Sequence, residues 1–125
     1  MRTKIDTSDA PAAIGPYSQA IRYGDLLFVS GQLPIDPATG AMEAPDIAIQ
    51  TRRVLSNLTA VVRAAGMKPE NILRCTCFLA DMAEFPKFNE IYAEFFGKDA
   101  PSRETVQVAR LPKDSRVEIS AVCGA

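Results

Sequence analysis

The sequence predicts an α/β (α+β) domain in which a mixed sheet of about six strands carries two helices on one face. Two observations support this prediction. Segments rich in strand-forming residues alternate with two segments of helical periodicity, in the order strands, helix, strand, helix, two strands. The 125 residues match one domain, 1–125, and the 47% of hydrophobic residues suffice for a core.

Three strands are predicted in the N-terminal third. A short strand covers residues 3–5, and a polar, proline-rich loop follows to Pro16. Strands at 17–23 and 26–30 are joined at Gly24-Asp25, a pair that is typical of a hairpin turn. The following segment, 31–45, contains three prolines and a further glycine, which predicts a long loop.

Two helices and three more strands complete the pattern. A helix at 46–65 begins after Pro45 and ends before Gly66, and apolar residues recur along it at helical spacing. A strand is predicted at 71–80. A second helix at 83–96 has Pro86 in its first turn and ends before Gly97. The last two strands cover 103–109 and 115–123.

The central strand around Cys75 predicts self-association. Its side chains are apolar on both faces, with Leu73, Cys75, Cys77 and Leu79 on one face and Ile72 and Phe78 on the other. Two helices cover only one face of such a sheet. We therefore expect the second face to be buried against another copy of the chain, in a homo-oligomer.

Composition excludes several classes of function. The chain has no histidine, which removes Ser-His and Cys-His nucleophilic chemistry and histidine-ligated metal sites. A net charge of −1 and a pI of about 5.4 give no basic footprint for nucleic acid or an anionic membrane. No apolar run approaches the roughly 20 residues that span a bilayer.

The three cysteines predict a reducing, cytoplasmic location. Their number is odd and no signal peptide precedes them, so a disulfide framework is not expected. Cys75 and Cys77 lie on the same face of one strand, where they are interpreted as small buried hydrophobes rather than metal ligands.

Charged residues stand out in the last quarter of the chain, where both predicted strands carry charge at positions that are normally apolar in strands. Arg103 begins one strand, and its planar guanidinium suits bidentate capture of a carboxylate. Glu118 lies between Val117 and Ile119 and faces away from the apolar side of the other strand. Each is equally consistent with an exposed surface position. In a plain hairpin the two would lie too far apart to act together, unless another strand or another subunit intervenes.

Three further positions are candidates for a cleft. Tyr17 follows Gly15-Pro16, and it is either a packed edge residue or a hydroxyl donor. Asn89 interrupts an apolar helical stripe, where a buried amide would pin a loop or bind a ligand. Gly31 either makes a turn or lets its backbone N–H approach a ligand closely.

A basic group in the loop between the last two strands also stays open to two interpretations. Arg110, Lys113 and Arg116 form either a solvated loop or a phosphate-binding patch.

Three blocks of sequence resemble the RidA/YjgF family of reactive-intermediate deaminases. These are the segments GPYSQA at 15–20, VSGQLP at 29–34 and VARLPKD at 108–114, and the similarity continues through Phe88-Asn89 and Tyr92. The resemblance implies a chorismate-mutase-like fold and a homotrimer with a cleft between each pair of subunits. It also implies hydrolysis of small 2-imino acids, 2-iminobutanoate and 2-iminopropanoate, to 2-oxo acids and ammonia without a metal or organic cofactor.

The resemblance further implies residue roles. Arg103 would hold the substrate carboxylate and Glu118 would orient or activate water, while Tyr17, Gly31 and Asn89 would line the cleft. The strand around Cys75 would lie between the last two strands, so Arg103 and Glu118 would not be limited by the geometry of a plain hairpin. One position departs from the family: Thr105 stands where deaminase members have cysteine, so a contact there would use its backbone carbonyl.

Three other functions remain as alternatives. The chain could be a non-catalytic trimeric binder of 2-oxo acids that uses the same arginine. It could also be another deaminase of the family, such as one acting on 2-aminomuconate. A ribonuclease is the third, against which the absent histidines and the acidic pI weigh.

Overall fold

The computed structural model describes all residues, Met1–Ala125, and confirms the predicted fold class. The chain forms β1 (Arg2–Ile5), β2 (Ala20–Tyr23), β3 (Leu26–Gln32), α1 (Ile47–Ala64), β4 (Ile72–Leu79), α2 (Phe85–Phe96), β5 (Ser102–Gln107) and β6 (Val117–Gly124). The strands make one six-stranded sheet in the order β1-β2-β3-β6-β4-β5. All pairs are antiparallel except β4 with β5, so the sheet is mixed.

The helices begin and end where the sequence signals lie. Asp46 caps α1 by accepting a hydrogen bond from the backbone N–H of Ile49, and Gly66 follows with φ +79°. In α2, Pro86 occupies the first turn and Gly97 terminates the helix with φ +67°. The predicted start at residue 83 was early, because Met82–Glu84 forms a separate 3-10 turn capped by Asp81.

Alternation along β6 divides the sheet into two faces. Val117, Ile119, Ala121 and Cys123 are buried under the helices, in the cluster of 23 residues that forms the core. The opposite face, called the open face below, contains large apolar side chains that are about half exposed, namely Tyr23, Leu26, Phe28, Leu73 and Val106. Neither helix is long and apolar enough to cross a membrane.

Two local expectations were wrong. β2 begins at Ala20 rather than at residue 17, because the buried Gln19 amide bonds to Thr7 and Pro11 of the N-terminal loop. Leu73 does not share a face with Cys75: a register shift between Ile72 and Arg74 buries Ile72 and leaves Leu73 half exposed. Both departures arise from contacts between distant segments.

Candidate active site

Arg103 is held on the helix-covered face at the edge of the sheet. It lies level with the buried Cys75 of β4, so its side chain points under α2. The guanidinium carbon lies 4.7 Å from the ring centroid of Tyr92, 5.5 Å from that of Phe85 and 5.9 Å from that of Phe88. Rings at these distances attract a cation and fix its position. None of the chain's seven ion pairs involves Arg103, so its charge is half buried without an acidic partner.

Asn89 contributes the one side-chain hydrogen bond to Arg103. Its Oδ1 accepts from Arg103 Nη1 at 2.7 Å. The expectation of a buried amide was wrong, because Asn89 is exposed at the margin of the aromatic stripe. One of the two alternatives, pinning a loop, also does not apply, because the partner is an arginine. Asn89 therefore orients the guanidinium.

Thr105 shares the face of Arg103, two residues further along β5. It lies level with Cys77, and its Oγ1 is buried without a hydrogen-bond partner. The neighbouring Glu104 points to the open face, where it pairs with Arg74. The Glu104 carboxylate is thus paired with Arg74 and does not compete for the Arg103 guanidinium.

Glu118 lies on the open face of β6 against Gly31. A Cβ atom placed at Gly31 would lie only 2.7 Å from Glu118 Cδ and 3.0 Å from Cγ, so glycine makes the room that the carboxyl group occupies. The Glu118 carboxylate accepts no hydrogen bond and forms no ion pair within the chain. Burial raises the pKa of the Glu118 carboxyl above its usual range. A half-buried acid of this kind is typical of functional sites.

Tyr17 lies in the N-terminal loop, not at a strand entry, and is 51% exposed. It lines a cavity of about 400 Å³ together with Gly31 and Glu118. Apolar side chains from the two flanking loops, including Ile14 and Leu33, complete the walls. The structure therefore brings together Tyr17, Gly31 and Glu118 as one group.

A second group, formed by Arg103, Asn89 and Thr105, is separate from the first within the chain. β4 does lie between β5 and β6 as expected. Arg103 is level with Cys75, however, and Glu118 is level with Phe78, three residues further along β4 and on the other face. At roughly 3.3 Å per residue and about 4.8 Å per strand, the two Cα atoms are offset by about 10 Å in each direction. The inserted strand alone does not unite the two groups.

The cysteine thiols are buried on the helix-covered side of the sheet, and their burial favours the protonated form. Burial, with a contribution from Cys75, raises the pKa of Cys77 to about 12, and burial raises that of Cys123 to about 11. Such thiols are poor nucleophiles. Their role is packing, as the sequence indicated.

Sequence reasoning missed the support that the aromatic stripe gives to Arg103. From the sequence, Phe85, Phe88 and Tyr92 were treated only as part of the apolar helical stripe around Asn89, and no contact with Arg103 was expected. The i, i+3, i+7 spacing of these rings along one helix face was the available signal, since it makes a continuous aromatic surface.

Comparison with known proteins agrees with this architecture. The family model described as "Endoribonuclease L-PSP" matches residues 7–124. A protein named "RutC family protein" from Pyrococcus horikoshii is 50% identical over 122 residues, which cover 98% of this chain and 97% of that protein. The protein named "2-iminobutanoate/2-iminopropanoate deaminase" from Salmonella typhimurium is 45% identical over 125 residues, with 98% and 97% coverage.

Solved structures share the whole fold. The crystal structure of Escherichia coli TdcF with bound serine has a TM-score of 0.95 and 43% sequence identity, and the match covers 98% of each chain. The similarity thus extends over both groups of candidate residues.

Proposed function

The chain belongs to the Endoribonuclease L-PSP family, the RidA/YjgF family that its motifs resemble, and from this premise we propose that it hydrolyses reactive 2-imino acids. The substrates are small, of the class of 2-iminobutanoate and 2-iminopropanoate, and the products are 2-oxo acids and ammonia. Relatives at 44–45% identity that are named for this reaction support the proposal.

The guanidinium of Arg103 is the observation on which the proposal depends. It is half buried, fixed by three rings and Asn89, and free of any carboxylate of its own chain. A charge in this state favours an anion from outside the chain, because pairing recovers part of the cost of its desolvation. A planar fork with open N–H groups suits the C1 carboxylate of an imino acid.

Glu118 supplies the proton transfer in this scheme. Water adds to C2 of the imine, and the carboxylate accepts the proton that the water loses. That proton passes to the imine nitrogen, which leaves a hydroxyl and an amino group on C2. The carboxylate then accepts the hydroxyl proton and passes it to the amino group, the C–N bond breaks, and ammonia leaves as the C2–oxygen bond becomes the carbonyl. A carboxyl group whose pKa burial has raised is a better base than an exposed one, and it gives the proton back within the same site.

Arg103 and Glu118 act together only if two chains meet, since they lie on opposite faces of one chain. We propose a homotrimer in which Arg103, Asn89 and Thr105 of one subunit face Tyr17, Gly31 and Glu118 of the next. The half-exposed apolar side chains of the open face supply a surface for such assembly. A cyclic arrangement repeats the same cleft three times.

The competing functions have less support. The family description includes the word endoribonuclease. The chain, however, has no histidine for general acid-base catalysis and a net charge of −1, which does not attract a polyanion. A non-catalytic 2-oxo-acid binder would use the same Arg103 and is separated from the enzyme only by measurement, as is a family deaminase that prefers 2-aminomuconate.

The activity test generates the imine in place. An amino-acid oxidase or a pyridoxal-phosphate dehydratase supplies it, and release of the 2-oxo acid is followed with and without the purified protein. We expect acceleration over spontaneous hydrolysis that disappears in Arg103→Ala. Tight binding of 2-oxobutanoate without acceleration would establish the binder instead, and undiminished activity in Arg103→Ala would remove the assigned role of the arginine.

A mixing test addresses the shared cleft. Arg103→Ala and Glu118→Gln chains are each expected to retain only a small residual activity alone. If they are unfolded and refolded together, random assembly gives about one quarter of clefts an intact arginine from one chain and an intact glutamate from the other. Activity should return to about that fraction of the wild-type value. No recovery from co-refolded, correctly assembled trimers would refute the two-chain cleft.

A further inference from the structure

Lys113 lies in the same cavity as Glu118, in a loop that the catalytic scheme does not use. The cavity of about 400 Å³ is lined by Pro112 and Lys113 together with Tyr17, Gly31 and Glu118. Lys113 forms no ion pair with Glu118, although both line the cavity. The cavity therefore contains a cation, Lys113, that Glu118 does not neutralise.

The backbone of this loop is strained at two successive positions. Lys113, with φ +55°, and Asp114, with φ +54°, are the only residues other than glycine with positive φ. A side chain such as lysine rarely adopts this conformation, whereas aspartate tolerates it better. Strain of this kind persists only where the surrounding structure enforces it, and it concentrates at functional sites.

Specific contacts enforce the conformation. Arg110 donates from Nε and Nη2 to the two carboxylate oxygens of Asp114 at 2.7 and 3.1 Å. The backbone N–H groups of Asp114 and Ser115 donate to the carbonyls of Leu111 and Pro112 at 3.1 and 3.2 Å. The loop is thus clamped on both sides of Lys113.

Pairing leaves Lys113 as the free cation of the loop. Arg110 is satisfied by Asp114, and Arg116 donates to Glu84 at 3.0 Å and to the carbonyl of Pro45 at 3.1 Å. From the sequence, this basic group was either a solvated loop or a phosphate-binding patch. In the structure it consists of two paired arginines and one unpaired lysine. The unpaired member is the one that lines the cavity.

We propose that Lys113 binds a second anionic group at the far end of the ligand, so that the substrate range extends to 2-imino acids with an acidic side chain. This inference rests on the proposed function, in which Arg103 binds the C1 carboxylate. A lysine ammonium on a flexible stem suits a terminal carboxylate whose distance varies, whereas the arginine fork suits the carboxylate next to the reacting carbon. Neutral imino acids would use Arg103 alone.

Binding of stable 2-oxo acids tests the inference without requiring turnover. Affinities of 2-oxobutanoate and 2-oxoglutarate are measured by calorimetry for the wild-type protein and for Lys113→Met, Lys113→Arg and Lys113→Gly. Lys98→Met is the matched control, because Lys98 is exposed and lies outside this cavity. Arg103→Ala serves as the reference for loss of the shared carboxylate contact.

We expect Lys113→Met to weaken 2-oxoglutarate about fivefold, the ratio that corresponds to roughly 1 kcal/mol for a partly exposed charge pair. Affinity for 2-oxobutanoate should stay within about twofold, and Lys113→Arg should keep the preference. Lys113→Gly should lose the preference while its thermal midpoint rises, since glycine relieves the strained backbone. That pair of changes separates a ligand contact from a merely structural role.

Two results would overturn the inference. Equal weakening of both acids in Lys113→Met would show that the lysine contacts only the shared carboxylate, and no weakening of either would show that it contacts no ligand. If 2-oxobutanoate binds the wild type in an Arg103-dependent way, either result refutes the role of Lys113 alone. If neither acid binds the wild type, the proposed function fails as well.

Discussion

Gly31→Ala tests the placement of Glu118 with the smallest change that the chain allows. Gly31 does not have a positive φ, so alanine is compatible with the backbone there. The added Cβ would lie 2.7 Å from Glu118 Cδ and 3.0 Å from Cγ, whereas carbon atoms pack at about 3.5–4.0 Å. The carboxyl group must therefore move by about 1 Å.

The expected costs for stability and activity differ widely. Gly→Ala stabilises by about 0.4–1 kcal/mol through the unfolded chain, and an off-rotamer glutamate costs about 0.5–1.5 kcal/mol. The free energy of unfolding should thus stay within about 1 kcal/mol of the wild type. A displacement of about 1 Å at a reacting group costs on the order of 100-fold in rate. Gly31→Ala should fold normally and lose most of its imine hydrolysis.

A double-mutant cycle identifies the cause. In a Glu118→Ala background no carboxyl group is present to be displaced, so Gly31→Ala should cause little further loss. Gly124→Ala is the matched control, because Gly124 lies on β6 as Glu118 does. Its added Cβ would lie 3.0 Å from Cδ1 of Leu73, the end of a flexible side chain. Activity is measured with imine generated in the assay, stability by thermal unfolding, and assembly by sedimentation. Full activity in Gly31→Ala, or an equal loss in the Glu118→Ala background, would refute this account of the glycine.

Three more outcomes follow from the same geometry. Arg103→Lys should raise the KM for imino acids at least tenfold while thermal stability changes little, because an ammonium cannot make the bidentate contact; an unchanged KM contradicts this. Burial raises the pKa of Glu118 in the folded chain above its unfolded value near 4.5. The contribution of Glu118 to the free energy of unfolding is therefore fully present below the unfolded pKa and is lost as pH rises through the higher folded pKa. Glu118→Gln should therefore raise the thermal midpoint at pH 7 but not at pH 4, and an equal shift at both pH values would argue against it. Phe28→Glu on the open face should give inactive monomers by sedimentation, and an active monomer would count against the shared cleft.

Local signals sufficed to predict most of the fold. Asp46 and Gly66 mark the two ends of α1, and Gly24 marks the hairpin turn, because caps and tight turns depend on a few neighbouring residues. The start of β2 was not predictable in this way, since Gln19 leaves the strand pattern to bond with Thr7 and Pro11. Such contacts join segments that are distant in sequence.

The candidate residues could be named from the sequence, but their arrangement could not. Charges within strands at Arg103 and Glu118 indicated the two candidates without any structure. Which face each residue occupies depends on the pairing of β4 with both β5 and β6, and a register of that kind cannot be read from either strand alone. The exposure of Asn89 likewise depends on how α2 lies against the edge of the sheet.

The separation of Arg103 from Glu118 has a physical consequence for the proposed chemistry. Opposite charges that are neighbours in this sheet do pair, as Arg74 and Glu104 do across β4 and β5. A pair of that kind at the site would fill the arginine fork and lower the pKa of the glutamate. Placing the two on opposite faces keeps the fork open and the pKa of Glu118 raised. In the proposed trimer the ligand carboxylate then lies between them, so the arginine is neutralised by substrate while the glutamate remains available to water.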